Sequence, residues 1–453
     1  MNLIQKANQT LQTTEKRRYT YHLSPNSGWS NDPNGLVFFK GMYHVFFQNN
    51  PFATNTDNIF WGHFVSKDLI TWKQIDFALA PDETYDQNGC FSGSAIVIEN
   101  KLVLAYAGHR NVRDSYEETI CLAESTDGVH FKKYQNNPVI KRDAKISTQR
   151  FRDPKIFRKN DSYYILVGSE SIEGRGQLLL YRAKNIYKNW NYVGKLINKN
   201  KDLGNMIECP DYFSIAEKSV ILGSPKGIKT TEKHGFNTLY YIENDFPLNS
   251  SLPDGKKIDF GYDFYAPQTI YDPINRRRIL IGWFGLPEEQ EKEKKHNFMS
   301  IGALTLPRFL QEKNEKLLLN PISEMNNLRI DSGTLIQDSQ HYSSVSEFLF
   351  TSLPQNFIIK IVSPKAEYII NYNEALKIDV HDEIRNHVNK IEKVNKIKKI
   401  DLYIDNGLTE VFINDGKYVF TNKCEFSNEL ISIKISASEK ISGINYRLKS
   451  IFK

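Results

Sequence analysis

Cysteine is scarce in this chain of 453 residues. There are four, Cys90, Cys121, Cys209 and Cys424, widely spaced and with no CxxC pair. That spacing points to neither a zinc site nor a disulfide scaffold, and it fits a reduced compartment. Long apolar runs are missing too. None approaches the ~20 residues that cross a bilayer, so a membrane-embedded protein is not expected. The opening stretch MNLIQKANQTLQTTEKRRYTYHL lacks the ~7–15-residue apolar segment of a secretory signal, and a cytoplasmic location is expected. A large excess of one charge is also absent, the net value being +6. From residue 330 onward there are 16 basic and 16 acidic residues, against 43 and 37 before it, so the whole surplus lies in the first part. This mildly favours an anionic small molecule and is far too weak for nucleic acid. The basic run Lys390 to Lys399 lies in the neutral part and reads as a solvated face.

What the chain does have is 27 Phe, 24 Tyr and enough length for two cores. It also has an internal repeat. Five segments share a small or acidic start, a short apolar strand, a polar turn and a second apolar strand. They begin at Asp32 (DPNGLVFFKGMYHVFFQ), Ser92 (SGSAIVIENKLVLAYAG), Asp153 (DPKIFRKNDSYYILVGS), Glu208 (ECPDYFSIAEKSVILGSPKG) and Ala266 (APQTIYDPINRRRILIGW). Their turns fall near Gly41, Asn100, Asp161, Glu217 and Asn275, a period of 56–61 residues. Each turn carries hairpin chemistry, and each interval has room for two more strands. Five periods of four strands describe an all-β fold, a five-bladed β-propeller over residues 1–320. A linker at 321–329 follows, polar and with a serine placed to cap a short helix. Residues 330–453 alternate apolar and polar with frequent turns, as a C-terminal β-sandwich does.

Blades of a propeller converge on a central channel. Three put an acid seven or eight residues before the residue where the turn begins: Asp32, Asp153 and Glu208. Taken singly, Asp32 could open a turn, Asp153 could pair with Arg152, and Glu208 could be an exposed edge acid. Three carboxylates facing one channel would repel unless they do chemistry, bind a cation or pair with bases. The loops lack the dense oxygen spacing of a calcium site. Two carboxyl groups flanking one bond are the equipment of glycoside hydrolysis, one as nucleophile and the other kept protonated by its surroundings as acid. The neighbours suit a sugar: Asn31, Gln48, Ser92 and Arg152 for hydroxyl groups, Trp61 and Phe91 for apolar faces.

WSNDPNG (29–35), FSGSA (91–95), FRDPK (151–155) and ECPD (208–211) together resemble the ordered motifs of glycoside hydrolase family 32. NNP (49–51), WGHFVSKDLITW (61–72), FYAPQ (264–268), ALTLPR (303–308) and TEVFINDG (409–416) extend the resemblance over about 20–450, nearly the whole chain. The resemblance implies a propeller carrying a sandwich, and retaining cleavage of a terminal β-fructofuranosyl unit. It implies Asp32 as nucleophile, Glu208 as acid/base, and Asp153 as the acid that holds the fructose C3 and C4 hydroxyls and stabilises the transition state. No metal or organic cofactor is called for.

Some positions depart from the family's usual pattern: Ser30, Tyr106-Ala107-Gly108, Lys226 in SPKG, and the HNFMS stretch. These bear on the leaving-group side and the subfamily. Three observations favour sucrose 6-phosphate as substrate: no secretory signal, modest length, and a positive balance confined to the propeller. NGCFSGSA (88–95) also looks like the version of that motif in bacterial sucrose-6-phosphate hydrolases. Lys226 and Arg110, each following a hairpin, are the candidate phosphate contacts. An intracellular fructosidase for sucrose or short fructo-oligosaccharides, a fructosyltransferase, and a non-catalytic sugar-binding propeller stay open. FSGSA and the NDPNG context argue against a hydrolase of arabinose polymers. The expected partner is a small sugar, with no nucleic acid and no membrane; oligomeric state is not encoded legibly.

Overall fold

The computed structural model describes residues 1–12, 19–198, 203–228, 235–244, 252–293, 300–335, 341–426 and 430–452. Strand β1 (Gly28–Phe39) pairs antiparallel with β2 (Met42–Asn50), which continues to β3 (Phe60–Ser66) and β4 (Trp72–Leu79). The second sheet holds β5 (Gly89–Ile98), β6 (Lys101–Val112), β7 (Ser115–Ser125) and, both on β7, β8 (Lys132–Lys133) and β9 (Ile140–Lys141). The third holds β10 (Phe151–Lys159), β11 (Ser162–Glu170), β12 (Gly176–Ala183) and β13 (Asn191–Leu196). In the fourth are β14 (Met206–Ile215), β15 (Lys218–Lys226), β16 (Leu239–Glu243) and β17 (Lys256–Lys257). The fifth starts with β18 (Phe264–Asp272) and β19 (Arg277–Phe284). After β20 (Ser300–Ile301) it resumes with β21 (Arg308–Lys313) and β22 (Lys316–Pro321). β20 itself runs parallel to β1, which ties the end of the series to its start.

All five hairpin turns fall where the sequence marks them. At the first, Lys40 and Gly41 both take positive φ (48° and 78°), as a two-residue hairpin turn matched to strand twist requires. The first strands of successive sheets touch in a cycle: β1 meets β5, β5 meets β10, β10 meets β14, β14 meets β18, and β18 returns to β1. The first four residues of the HNFMS stretch, 296–299, lie outside the described residues. Among the described residues no helix is long and apolar enough to cross a membrane.

Between Arg329 and Leu448 the chain forms two six-stranded sheets. Strand Asn356–Ser363 buries every second residue, the period-2 pattern read from its sequence. Phe348 and Leu402 of one sheet share an apolar core with Ile359 and Ile370 of the other. Between the two parts, Ser323–Leu328 forms a 3-10 turn. Ile322 takes the capping position without a side-chain bond, so Ser323 is not the cap the sequence suggested. Met325 and Leu328 join a core that also contains Ile279 and Leu280 of the fifth sheet and Tyr403 and Phe412 beyond it.

A buried ionic knot sits at this junction. The wholly buried Arg308 of ALTLPR donates to Glu410 Oε2 from Nε (2.9 Å) and Nη2 (2.7 Å), and to Asp259 Oδ2 from Nη1 (2.7 Å). Glu410, in TEVFINDG, also accepts from the Leu306 N–H (2.7 Å) and lies 3.0 Å from His22 Nε2. Two motifs that carry no sugar chemistry thus fasten the two parts to each other.

Candidate active site

The first strand of every one of the five sheets breaks step at the same height. The ladders slip between Ser30 and Pro33, Phe91 and Gly93, Arg152 and Lys155, Glu208 and Asp211, and Tyr265 and Gln268. Four of these bulges contain or adjoin a proline (Pro33, Pro154, Pro210, Pro267), whose missing N–H is tolerated where the ladder bond is absent. Asp153, Cys209 and Ala266 take left-handed φ of 59°, 46° and 48°. Such conformations are costly for non-glycine residues and persist where surrounding structure enforces them. A bulge re-aims side chains. Here all five strands present residues to one cavity of about 580 Å³.

Asp32, Asp153 and Glu208 all line it. Their register is not fully shared, however. Glu208 is the last paired residue before its bulge, which is the place of Arg152 on β10, and Cys209 follows where Asp153 stands. Arg152 and Glu208 therefore occupy matching positions on adjacent strands, and the guanidinium reaches across to Glu208 Oε1 through Nη2.

The three acids are held differently. Asp32 Oδ2 accepts from Ser92 Oγ (2.6 Å) and from the Cys209 thiol (3.3 Å). Asp153 Oδ2 accepts from the Cys209 backbone N–H (2.9 Å). Glu208 Oε2 accepts from Tyr265 OH (2.8 Å), and Lys226 Nζ lies 3.7 Å from its Oε1. Burial pushes the Asp32 carboxyl up to about 6, overcoming the Ser92 bond. Burial likewise raises Asp153 to about 7, against Arg152 and with the help of Glu208 and Asp32. At Glu208 burial also favours the neutral acid, but Arg152, Lys226 and the Tyr265 bond together hold it below the usual carboxylate range. A Glu208 kept protonated by its surroundings was expected; its two cationic neighbours reverse that in the free protein.

Asn31, Gln48, Phe91, Ser92, Arg152 and Lys226 face the same cavity. Among the described residues Asn31 Oδ1 and Trp283 Nε1 are buried without a hydrogen-bond partner, so the wall offers an acceptor and a donor there. Two expected contacts are elsewhere. Trp61 is 0% exposed, packed on Phe46 and Tyr106 with its Nε1 donating to Phe91 O (3.1 Å). It supports the cavity wall from behind and cannot touch a sugar. Arg110 follows His109 on β6, and strand alternation turns His109 inward and Arg110 out. There Arg110 pairs with Glu117 at 2.6 Å.

The structure adds residues that motif reading passed over. Trp29, Cys209 and Tyr265 stood inside quoted motifs without being assigned a part. Glu118 had no sequence signal. It is buried on β7 and accepts from Arg152 Nη1 (3.2 Å) and the Phe151 N–H (2.9 Å), fixing the arginine from the side opposite Glu208. Gln290, on the short helix Pro287–Glu293, accepts from Trp29 Nε1 (2.6 Å) and donates to Ser30 O (2.8 Å). Among the described residues no group of three His, Cys, Asp or Glu side chains is arranged to hold a metal ion.

Bulged inner strands that gather three carboxylates and an arginine into one cavity carry the equipment of glycoside hydrolysis. Residues 22–321 match the glycosyl hydrolases family 32 N-terminal domain, and the chain belongs to that family. It is 36% identical over 342 residues to a sucrose-6-phosphate hydrolase of Zymomonas mobilis, covering 71% of this chain and 66% of that protein. A sucrose-6-phosphate hydrolase of Vibrio alginolyticus is 32% identical over 438 residues, covering 93% and 89%. Among solved structures, a GH32 beta-fructofuranosidase of Bombyx mori superposes with a TM-score of 0.86 at 30% identity, covering 99% of this chain and 97% of that one.

Proposed function

We propose that this glycoside hydrolase is a retaining β-fructofuranosidase that splits sucrose 6-phosphate, and sucrose with it, into the glucose moiety and fructose. The observation that carries the reading is the convergence of Asp32, Asp153 and Glu208 on one cavity, each with its own set of donors. Asp32 attacks fructose C2 to form a fructosyl-enzyme, Glu208 protonates the leaving oxygen, and Asp153 holds the C3 and C4 hydroxyls. Glu208 then acts as base toward water. The Ser92 and Cys209 bonds fix which Asp32 oxygen is tied and leave the other to attack. A sugar hydroxyl that engages Arg152 draws its cation from Glu208. The acid then takes up its proton only with substrate in place.

Asn31, Gln48, Phe91 and Ser92 complete the fructose side in this reading, and Lys226 takes the phosphate at the rim. The five sheets are the blades of a propeller over 1–320, joined by 321–329 to a β-sandwich over 330–453; the cycle of first strands supports the blade count. A cytoplasmic site of action goes with a phosphorylated substrate that arises on uptake. A second reading, a fructosidase for unphosphorylated sucrose or short fructo-oligosaccharides, draws on the position of Arg110, which leaves Lys226 and Arg152 as the strong cations lining the cavity. Comparing kcat/KM for sucrose 6-phosphate, sucrose and a kestose-type trisaccharide separates the two. A preference for plain sucrose at low salt overturns the first.

A further inference from the structure

The inner strands run on past the carboxylates, and at their far ends a second cavity of about 690 Å³ opens. Leu36, Ile96, Ile156, Tyr212 and Thr269 line it, each four residues beyond a residue of the first site. At ~3.3 Å per residue this puts the two cavities roughly 13 Å apart along the strands, at opposite mouths of the ring.

Its charged lining comprises Arg278 on β19, Lys155 and Arg158 on β10, and Glu99 at the turn after β5. The Arg278 guanidinium is stacked against Phe213 (4.8 Å to the ring centre) and Tyr271 (5.9 Å). Nη1 donates to Thr269 Oγ1 (3.0 Å), while Nε is buried with no partner among the described residues. Among the described residues Arg278 forms no ion pair. Three other inward-facing arginines differ: Arg152 lies between Glu118 and Glu208, Arg308 between Asp259 and Glu410, and Arg385 between Glu293 and Asp382. Asp211 is near but occupied. One oxygen takes Lys155 Nζ and the Tyr212 N–H, the other the N–H (2.7 Å) and hydroxyl (2.6 Å) of Thr269. A partly desolvated cation without a paired counter-charge is costly, and burial lowers the Arg278 pKa despite the field of Asp211. Aromatic stacking offsets part of that cost and also holds the fork in a fixed plane. Lys155 stands on the same wall as a second cation.

We propose that this second mouth is an anion-binding site separate from the carboxylate cavity, in which Arg278, with Lys155 beside it, takes the phosphate of a small phosphate monoester. A planar fork with an unused N–H suits a tetrahedral oxyanion, and the cavity is wide enough for the ester's organic part as well as the phosphate. The shared chemistry admits free phosphate too, and the test distinguishes the two.

The experiment is equilibrium dialysis of the full chain with labelled inorganic phosphate and, separately, glucose 6-phosphate, on wild type, Arg278→Gln, Arg278→Lys and Lys226→Gln. Saturable binding is expected in wild type and in Lys226→Gln. It should weaken roughly 10- to 150-fold in Arg278→Gln, the range for a charge-assisted contact. Arg278→Lys should fall between, since the charge stays and the fork goes. Tighter binding of glucose 6-phosphate than of phosphate at the Arg278-dependent site identifies the monoester; equal binding identifies free phosphate as the ligand and overturns the monoester assignment. No saturable binding by folded wild type at millimolar phosphate overturns the site. So does binding that Lys226→Gln abolishes and Arg278→Gln preserves. Should Arg278→Gln fail to fold, phosphate should still raise the Tm of wild type more than that of Arg278→Lys; equal rises count against the proposal.

Discussion

The guanidinium of Arg152 bridges two carboxylates, Nη2 on Glu208 and Nη1 on Glu118, so the residue proposed as acid/base begins the cycle paired to a cation. In the free protein the proton of the carboxylate cluster resides instead on the Asp32–Asp153 side, where burial raises both groups. A productive state with Asp32 ionised and Glu208 protonated is then a minor arrangement that substrate must favour.

This arrangement sets the pH profile. The cluster loses its last proton near pH 6 to 7, so kcat/KM should fall on the alkaline side with an apparent pKa in that range. Arg152→Gln should move the acid limb upward, because Glu208 loses the cation that holds it low. Steady-state rates from pH 4 to 9 on both proteins check this. An unmoved acid limb in Arg152→Gln would mean that Glu208 is not the group titrating there.

Asp32→Asn should abolish turnover with the fold intact, since a cavity carboxylate supplies nucleophilicity and not packing. Near wild-type activity in a folded variant would rule out Asp32 as nucleophile. The first product seen by NMR should be β-fructofuranose, as retention requires; α product would mean inversion.

Glu208→Gln should cost roughly 10²–10⁴ in rate on poor leaving groups and much less on an activated fructoside that needs no proton. Equal losses on both substrates would count against Glu208 as acid.

The same carboxylates should weaken the fold at neutral pH. Asp32 and Asp153 carry folded-state pKa values near 6 and 7, above the ordinary 3.8. Native protein thus binds more protons than unfolded chain between about pH 4 and 7. Their stabilising effect is full below pH 4 and is lost as pH rises through 7. Asp153→Asn should match wild type in unfolding free energy near pH 4 and exceed it at pH 8 by on the order of 1–3 kcal/mol, seen as a Tm gap that opens as pH rises. A Tm gap that stays constant with pH would refute the linkage.

Arg308→Met should cost about 3–5 kcal/mol in denaturant unfolding, because it strands Glu410 and Asp259 in a buried junction. Loss within error of zero would show that water reaches the knot.

The repeat was legible because each hairpin turn needs special backbone chemistry, as at Lys40 and Gly41, and because strands of period 2 show which face is buried. The acids were legible because Asp-Pro and Cys-Pro mark the bulges that aim them. Residue type alone misled at Trp61, a large ring assigned to a sugar but turned into the core by the pleat, and at Arg110, one position out of phase with His109. Glu118 left no trace in the sequence, because its partner Arg152 lies on another sheet; Arg308 and Glu410 stood inside quoted motifs, but nothing local marked them as partners across the junction.

The short helix that carries Gln290 has consequences for how far this enzyme can be cut down. At one end Gln290 clips Trp29 and Ser30, the residues that lead into Asp32. At the other, buried Glu293 accepts from Arg385 (2.6 Å) and Lys423 (2.8 Å), both from the C-terminal sheets. The C-terminal sheets therefore reach the carboxylate cavity through this helix, in addition to the Arg308 knot. A shortened version ending at the fifth sheet would keep every proposed catalytic side chain and lose the brace on the strand that bears the nucleophile.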